Sequence, residues 1–373
     1  MQSLTTIQFI YLTAFSKTGG IEKFNKNIMF CLQKLQDRYE PIITSLHDFE
    51  GESAYCSNLD TYFFAGNKIK LLVHCLRTAK KTKVLLVGHI NLSPIVFLMR
   101  LLNPKIKIIV FTHGVEVWKP LSGLDSAMMR FSNRVLCVSK FTKRMLKEAN
   151  DDISRDKIFV FLNAVNPFDE GDNTNEEEVS ELSRRLSIQS FKPIILSVGR
   201  ICKEDAYKGF DLTIQALAEV KKNGLHPLYL LVGKYEDNEL QRLLKLAEVN
   251  EVREHVIFLG FIPDKVLASY CKLADLFVMP SKGEGFGIVF IEAIRNQMAI
   301  IAANTGGTPE ALGYGKYGRL VDPDNIHELA TAIREEYYKK RASNDNNWSE
   351  IMHLYSIERF CNELSNHIQE VIL

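Results

Sequence analysis

Short, continuous runs of β-branched and aliphatic residues alternate with longer segments of helical spacing down the chain, and this alternation restricts the fold more than any other feature. Lys83-Val-Leu-Leu-Val-Gly88, Ile106-Lys-Ile-Ile-Val-Phe-Thr112 and Arg134-Val-Leu-Cys-Val-Ser139 are examples. A strand apolar on both faces must be covered on both faces. Runs of this kind set between helices therefore predict a parallel sheet with helices on each side.

Runs near 7–12, 41–46, 83–88, 106–112, 134–139 and 157–162 make a first set of predicted strands. A second set falls near 193–199, 227–233, 255–260, 275–279, 299–303 and 318–321. Between the sets, from Asn163 to Lys192, the chain turns to Asn-Pro, Gly171, several asparagines and the acidic Glu176-Glu177-Glu178, the character of an interdomain linker. A chain of 373 residues also exceeds what one hydrophobic core holds. The expected organisation is a first α/β domain over 1–168, a linker over 169–192, a second α/β domain over 193–345 and a terminal helix over 346–373 that packs across the domain boundary.

The net charge of +1 hides an asymmetry, because residues up to Phe168 carry +10 and the remainder −9. A basic first half suits an anionic surface or a phosphorylated partner, and equally a solvated helix face; no nucleic-acid partner is expected. The most apolar long segment, Val84 to Leu102, is interrupted by Gly88, His89, Asn91, Ser93 and Pro94, so no transmembrane helix is expected. No basic region precedes the first apolar residues, so no secretory signal is expected either. The seven cysteines are scattered and contain no C-x-x-C pair, which reads as reduced core residues of a cytoplasmic protein.

Residues 275–294 join a predicted strand to a predicted helix through a loop containing Gly283, Gly285 and Gly287. Glycines there let the backbone take positive φ and let a ligand approach the main chain. The N–H groups at the start of the following helix favour a phosphate or a sugar hydroxyl. Glu284 lies in this loop, and Glu292 lies on a helix whose other early positions are apolar. A buried carboxylate needs a donor, either a protein cation such as Arg295 or a ligand hydroxyl; these residues alone leave both open. Gly19-Gly20, before a predicted helix running to about Leu35, is a second candidate anion site.

Further motifs follow in order: Thr112-His113-Gly114-Val115-Glu116, Val138-Ser139, Asn163-Ala-Val165, Ser197-Val-Gly-Arg200, Lys208-Gly-Phe-Asp211, Gly260-Phe-Ile262 and Thr305-Gly-Gly-Thr-Pro-Glu310. With Gly283-Glu-Gly-Phe-Gly287 and Glu292, this set resembles the retaining GT-B glycosyltransferases of family 4, Glu284 and Glu292 matching that family's E-x7-E signature. The resemblance covers nearly the whole chain. It implies two Rossmann-like α/β domains with doubly wound parallel sheets facing across a cleft, and a C-terminal helix crossing back to the first domain. It also implies a metal-independent hexosyltransferase without a cofactor. The donor would be a UDP- or GDP-sugar, and the acceptor a glycan or lipid-linked glycan in cell-surface polysaccharide synthesis.

By the same resemblance, Arg200 and Lys208 hold the diphosphate, Glu284 meets hydroxyls of the donor hexose, Glu292 holds the ribose and His113 lies beside the sugar ring. Gly19 and Gly20 would close the diphosphate site. Gly285, Phe286, Gly287, Ile288 and Val289 would offer main-chain N–H groups, and Phe261 and Ile262 would receive the base. Three positions depart from the family pattern: Glu116 replaces a frequent Asp, Lys234-Tyr235 an Asp-Gly turn, and Gln297 with Ala299 a Gly-x-Pro.

Asp322-Pro-Asp324 reads as a turn before a helix rather than a metal-binding Asp-x-Asp. The alternatives are a nucleotide-sugar epimerase of the same fold and a non-catalytic sugar-nucleotide-binding protein. A dinucleotide-dependent oxidoreductase is disfavoured because no G-x-G-x-x-G follows the first strand. The basic helical segments 68–81 and 140–147 suit peripheral contact with anionic lipid, which would place the protein in the cytoplasm at the inner membrane face. The expected acceptor loops, 15–18 and 48–60, show no decisive residue.

Overall fold

A computed structural model describes residues 4–168, 176–342 and 348–373, in two compact units. In the first unit, Met1–Pro167 with Leu354–Leu373, the apolar runs become β1 (Thr5–Tyr11), β2 (Tyr39–Ser45), β3 (Asp60–Phe63), β4 (Val84–Val87), β5 (Lys107–Thr112), β6 (Arg134–Cys137) and β7 (Ile158–Val160). They form one parallel sheet in the order β3-β2-β1-β4-β5-β6-β7. The connecting helices are α1 (Gly20–Lys34), α2 (Ser53–Cys56), α3 (Lys68–Thr78), α4 (Ser93–Leu102), α5 (Gly123–Phe131) and α6 (Lys140–Ala149). All of Val84–Val87 and of Ile108–Phe111 is buried, as central strands covered on both faces require. The expectations omit β3, because Asp60–Phe63 is a short edge strand with exposed alternate residues and no continuous apolar run.

The second unit, Phe168–His353, repeats the plan. Its strands are β8 (Ile194–Val198), β9 (Leu228–Val232), β10 (Val256–Gly260), β11 (Leu276–Met279), β12 (Ala299–Ala303) and β13 (Arg319–Val321), in the order β10-β9-β8-β11-β12-β13. Its helices are α7 (Glu176–Arg185), α8 (Phe210–Lys222), α9 (Asp237–Val249), α10 (Asp264–Leu273), α11 (Ile288–Arg295), α12 (Thr308–Ala311), α13 (Ile326–Ala342) and α14 (Ser349–Leu354). Within the expected linker, 169–175 lies outside the described residues, as does the expected boundary at 345. The described remainder includes α7, whose Arg185 guanidinium donates to the Tyr270 hydroxyl of α10 at 3.4 Å.

The last helix, α15 (Ile357–Ile372), belongs to the first unit. Ser356 caps it by accepting from the Arg359 N–H. Ile357, Phe360, Leu364, Ile368 and Val371 form its buried stripe at helical spacing. Phe360 packs edge-on against Phe24 of α1 at 5.5 Å and, tilted, against Phe161 at 4.5 Å. Arg359 donates to the carbonyls of Leu162 and Asn163 at 2.7 and 3.1 Å.

The expectation that all seven cysteines are reduced is corrected here, because Cys361 of α15 is disulfide-bonded to Cys31 of α1 across 330 residues of sequence. Spacing could not show this, since only the return of α15 onto α1 makes the two neighbours. One ground for a cytoplasmic setting is thereby removed. No helix among the described residues is long and apolar enough to cross a membrane.

Thiol titration of the denatured, unreduced protein is expected to count five thiols, the free cysteines being 56, 75, 137, 202 and 271, and two more after reduction. Reduction should also cost roughly 2–4 kcal/mol in urea unfolding. Seven thiols without reduction would refute the pairing.

Candidate functional site

The second unit's sheet reverses its strand order at β8 and β11, which are neighbours whose connections leave in opposite directions. A parallel sheet binds ligands beyond its carboxyl ends at such a point. The Ser197 hydroxyl of β8 donates to the Val278 carbonyl of β11 and shares a 2.8 Å bond with the Tyr229 hydroxyl of β9. Beyond these strand ends the backbones nearly touch, for a Cβ on Gly233 would lie 1.9 Å from the Gly199 carbonyl oxygen.

Arg200 leaves β8 here, and Lys208 ends the short 3-10 helix Lys203–Lys208 that follows. Both point at one carboxylate. Asp205, buried, accepts from Arg200 Nε at 3.1 Å and Nη2 at 3.2 Å and from Lys208 Nζ at 3.1 Å. The Arg200 side chain remains 60% exposed, while that of Lys208 is 14% exposed. The cluster therefore presents an exposed guanidinium that is already oriented from within.

The glycine loop after β11 lies next to this cluster. Gly287 takes the left-handed conformation, φ 87°, immediately before α11. Gly283 and Gly285 do not, which corrects the expectation of three positive-φ glycines. The loop's neighbour Gly307 is needed for closeness, because a Cβ on it would meet the Gly285 carbonyl oxygen at 2.2 Å. The Gly307 N–H also donates to the Glu284 carbonyl at 2.8 Å, so the loop after β12 fixes the segment carrying Glu284.

Burial pushes the Glu284 carboxyl above its ordinary range, while Lys208 and the Ser281 hydroxyl pull it back. The Tyr207 hydroxyl is pushed up by burial and then by Glu284 and Asp205. Arg200, Lys208 and Glu284 thus share one electrostatic neighbourhood, and sequence reasoning missed Asp205 and Tyr207 within it. Their only signal was position, between the arginine and the lysine.

Glu292 is half-buried, as are Ile288, Val289 and Arg295, so α11 has one accessible side rather than apolar burial all round. Its carboxylate is correspondingly less enclosed than expected, because the buried face of α11 is Phe290, Ile291, Ala293 and Ile294. Phe286 is buried at 2%. At the end of β10, two strands from β8, Phe261 is 47% exposed with Lys234 Nζ 5.4 Å above its ring, and Ile262 is buried.

In the first unit, His113 follows β5 and His89 follows β4, beyond the ends of adjacent strands. Their rings lie 6.3 Å apart and nearly parallel. His113 Nε2 is 2.8 Å from the Gly88 carbonyl, and its backbone N–H donates to the Glu116 carboxylate. Burial, then His113, lowers His89 to about 4, so His89 is neutral at pH 7.

Gly19 and Gly20 start α1, with the acidic Glu22 in its first turn. The loop before them is organised by Asp48, which the sequence did not single out. This buried carboxylate accepts from the N–H groups of Ala14, Phe15 and Ser16 at 2.8–3.0 Å and from the hydroxyls of Thr13 and Ser45. Those three main-chain donors are therefore taken by the protein itself.

Asp322 and Asp324 form a turn, with the Asp324 N–H on the Asp322 carboxylate, and Asn325 caps α13 by accepting from Glu328. Among the described residues, Cys202, Glu204 and Glu236 could bring three ligand atoms within 4.8 Å of one another. Both glutamates are exposed, and burial raises the Cys202 thiol, which disfavours the thiolate a metal would need.

Two doubly wound parallel α/β units, with cations and a glycine loop at the order reversal of the second, define a GT-B fold. Residues 18–167 match the family model Glycosyltransferase Family 4, and residues 178–350 match Glycosyl transferases group 1. The chain belongs to this glycosyltransferase family. It is 28% identical over 242 residues to a GDP-mannose-dependent alpha-(1-6)-phosphatidylinositol monomannoside mannosyltransferase of Mycolicibacterium smegmatis, a match covering 61% of this chain and 60% of that relative. The fold is similar to that of a Rickettsia africae glycosyltransferase (TM-score 0.80, 19% identity, 99% of each chain). It is equally similar to Anabaena HepE in complex with UDP and glucose (TM-score 0.79, 18% identity, 98% of this chain and 100% of that one).

The Asp48 carboxyl gives a pH test. Burial raises it, but the bonds from Ser16, Ser45, Phe15 and Thr13 outweigh burial and hold it below the ordinary value. A depressed carboxyl stabilises the fold fully above its unfolded value and less as pH falls through its folded value. Asp48→Asn should therefore cost stability at pH 7, by roughly 2 kcal/mol or more from lost charged hydrogen bonds. The gap from the parent should narrow below about pH 4; a gap constant down to pH 2 would count against this role.

Proposed function

We propose that this chain is a retaining hexosyltransferase that moves a hexose from a UDP- or GDP-sugar to a glycan or lipid-linked glycan in cell-surface polysaccharide synthesis. The observation that carries the reading is the gathering of Arg200 and Lys208 on buried Asp205, beside Glu284 in the glycine loop. A sugar nucleotide's leaving diphosphate gains negative charge as the glycosidic bond breaks. Cations fixed in advance stabilise that charge without reorganising. In this reading Arg200 and Lys208, held by Asp205, meet the diphosphate with their remaining N–H groups, and no metal is needed for the charge.

Glu284 accepts from hexose hydroxyls, Glu292 holds the ribose on the accessible side of α11, and Phe261 offers the base a ring with Lys234 over it. The N–H groups of Gly285 to Val289 meet sugar and phosphate. His113 and the Gly19-Gly20 turn act from the first unit, on the sugar ring and the diphosphate. Retention follows from front-face attack, in which the acceptor hydroxyl passes its proton to the departing phosphate. The relatives support the donor class, one being GDP-mannose-dependent and one a structure with UDP and glucose.

The proposed setting is the inner face of an anionic membrane. In its support, α3 leaves Ile69 76% and Val73 40% exposed beside Lys68 and Lys70, and α4 leaves Leu101 61% exposed. Flotation with phosphatidylglycerol vesicles should carry the protein and flotation with phosphatidylcholine should not; equal flotation, or none, counts against it.

Thermal shift with UDP, GDP, ADP and NAD should show stabilisation by UDP or GDP, roughly 2.7 kcal/mol at a hundred times the dissociation constant. A shift with NAD alone would overturn the reading. Arg200→Ala and Glu284→Ala should each lower kcat on the order of 10²-fold or more in a transfer assay. Near-normal turnover by either variant removes that residue from its role, and binding without any turnover makes the chain a sugar-nucleotide-binding protein.

A further inference from the structure

The helix α6 carries Lys140, Lys143, Arg144 and Lys147 at spacings of three, four and seven residues, so all four cations lie along one face. Beside that face is a cavity of about 640 Å³ in the first unit, whose lining also includes Arg155, Glu148 and Val160 of the edge strand β7. Five cations thus face one carboxylate. Glu148 lies 3.8 Å from Arg144, and among the described residues no carboxylate comes within ion-pair distance of Lys143, Lys147 or Arg155.

Like charges three and four residues apart repel, and cations in a helix's first turn oppose its dipole. α6 has no acid in its first turn to relieve either effect. The Lys143 ammonium is held below its ordinary range by burial and then by Lys147, and both side chains line this cavity. Phe159 of β7 forms part of the surroundings, 5.9 Å from Lys143 Nζ and 4.4 Å from the Arg134 guanidinium. Cations gathered in this way repel one another, and an anion in the cavity would offset that repulsion.

We propose that the cavity between α6 and β7 is a binding site for a phosphate-bearing anion, a phosphate ester or diphosphate, held by Lys143, Lys147 and Arg155. The site is separate from the Arg200 and Lys208 cluster and does not depend on its assignment to a sugar-nucleotide donor. Phosphate carries the charge density that several convergent ammonium and guanidinium groups satisfy at once. Either a soluble phosphate ester or a lipid headgroup could present it.

The test uses the 373-residue chain with Arg200→Ala, to remove anion binding in the second unit, against the same chain with Lys143→Ala, Lys147→Ala and Arg155→Ala added. Inorganic pyrophosphate is titrated calorimetrically, and sedimentation is measured with phosphatidylglycerol and phosphatidylcholine vesicles. Pyrophosphate binding weakened at least tenfold by the three substitutions, without vesicle dependence, supports the site and a soluble ester. Loss of phosphatidylglycerol sedimentation in the substituted chain supports the site and a lipid headgroup. Undiminished binding in both arms, or no binding by the parent in either, overturns it. A Lys143→Gln, Lys147→Gln pair keeps the test available if the alanine variant fails to fold. Thermal shift by UDP or GDP in the otherwise unsubstituted chain reads the donor site separately, so failure of one assignment is not failure of the other.

Discussion

Asp205 takes two hydrogen bonds from Arg200 and a third from Lys208, and the geometry at the end of β8 follows from them. Two cations this close repel one another, and the Lys208 side chain, 14% exposed, could not sit so far from water without an opposite charge. The carboxylate compensates both cations and also aims them. For the proposed diphosphate, the groups would be assembled before it arrives, which is the condition for strong electrostatic stabilisation. Asp48 plays the corresponding part in the first unit, where one buried carboxylate gathers three main-chain N–H groups and two hydroxyls and so shapes the loop between β1 and α1.

Both devices depend on the parallel sheets. Strands running one way deliver their connecting loops to one edge, and reversal of strand order at β1 and β4, or at β8 and β11, parts the loops there. Main chain then has to approach main chain closely. Gly233 against Gly199, and Gly307 against Gly285, are places where a single Cβ would drive the loops apart. Gly233 and Gly307 near the site thus serve loop-to-loop contact, while Gly209 and Gly287 take left-handed turns before α8 and α11.

Much of the fold was legible because burial of both faces of a central strand leaves a continuous apolar run in the sequence. Ile108–Phe111 and Leu228–Val232 could be read directly for that reason. β3 could not, since an edge strand is covered on fewer sides and keeps no such run. Of the site, Glu284 and Gly287 stood out in the glycine loop, and Arg200 and Lys208 through resemblance to the family's motifs. Asp205, Tyr207, Asp48 and His89 did not, because an isolated Asp, Tyr or His carries no periodic or motif signal. Their importance lies in neighbours brought from elsewhere, such as Thr13 and Ser16 to Asp48 across more than thirty residues.

The sequence by itself determined two parallel α/β units and the glycine loop before α11, because these depend on local pattern and residue chemistry; Arg200 and Lys208 after β8 stood out only through the family resemblance. Tertiary structure alone decided that Cys31 bonds Cys361, that Glu292 is half-buried, and that Asp205 ties Arg200 to Lys208. It also decided that four cations of α6 line a cavity beside β7. The physical reason is common to all four: distance and burial are properties of packed surfaces, and a linear pattern records which residues are present but not what they meet.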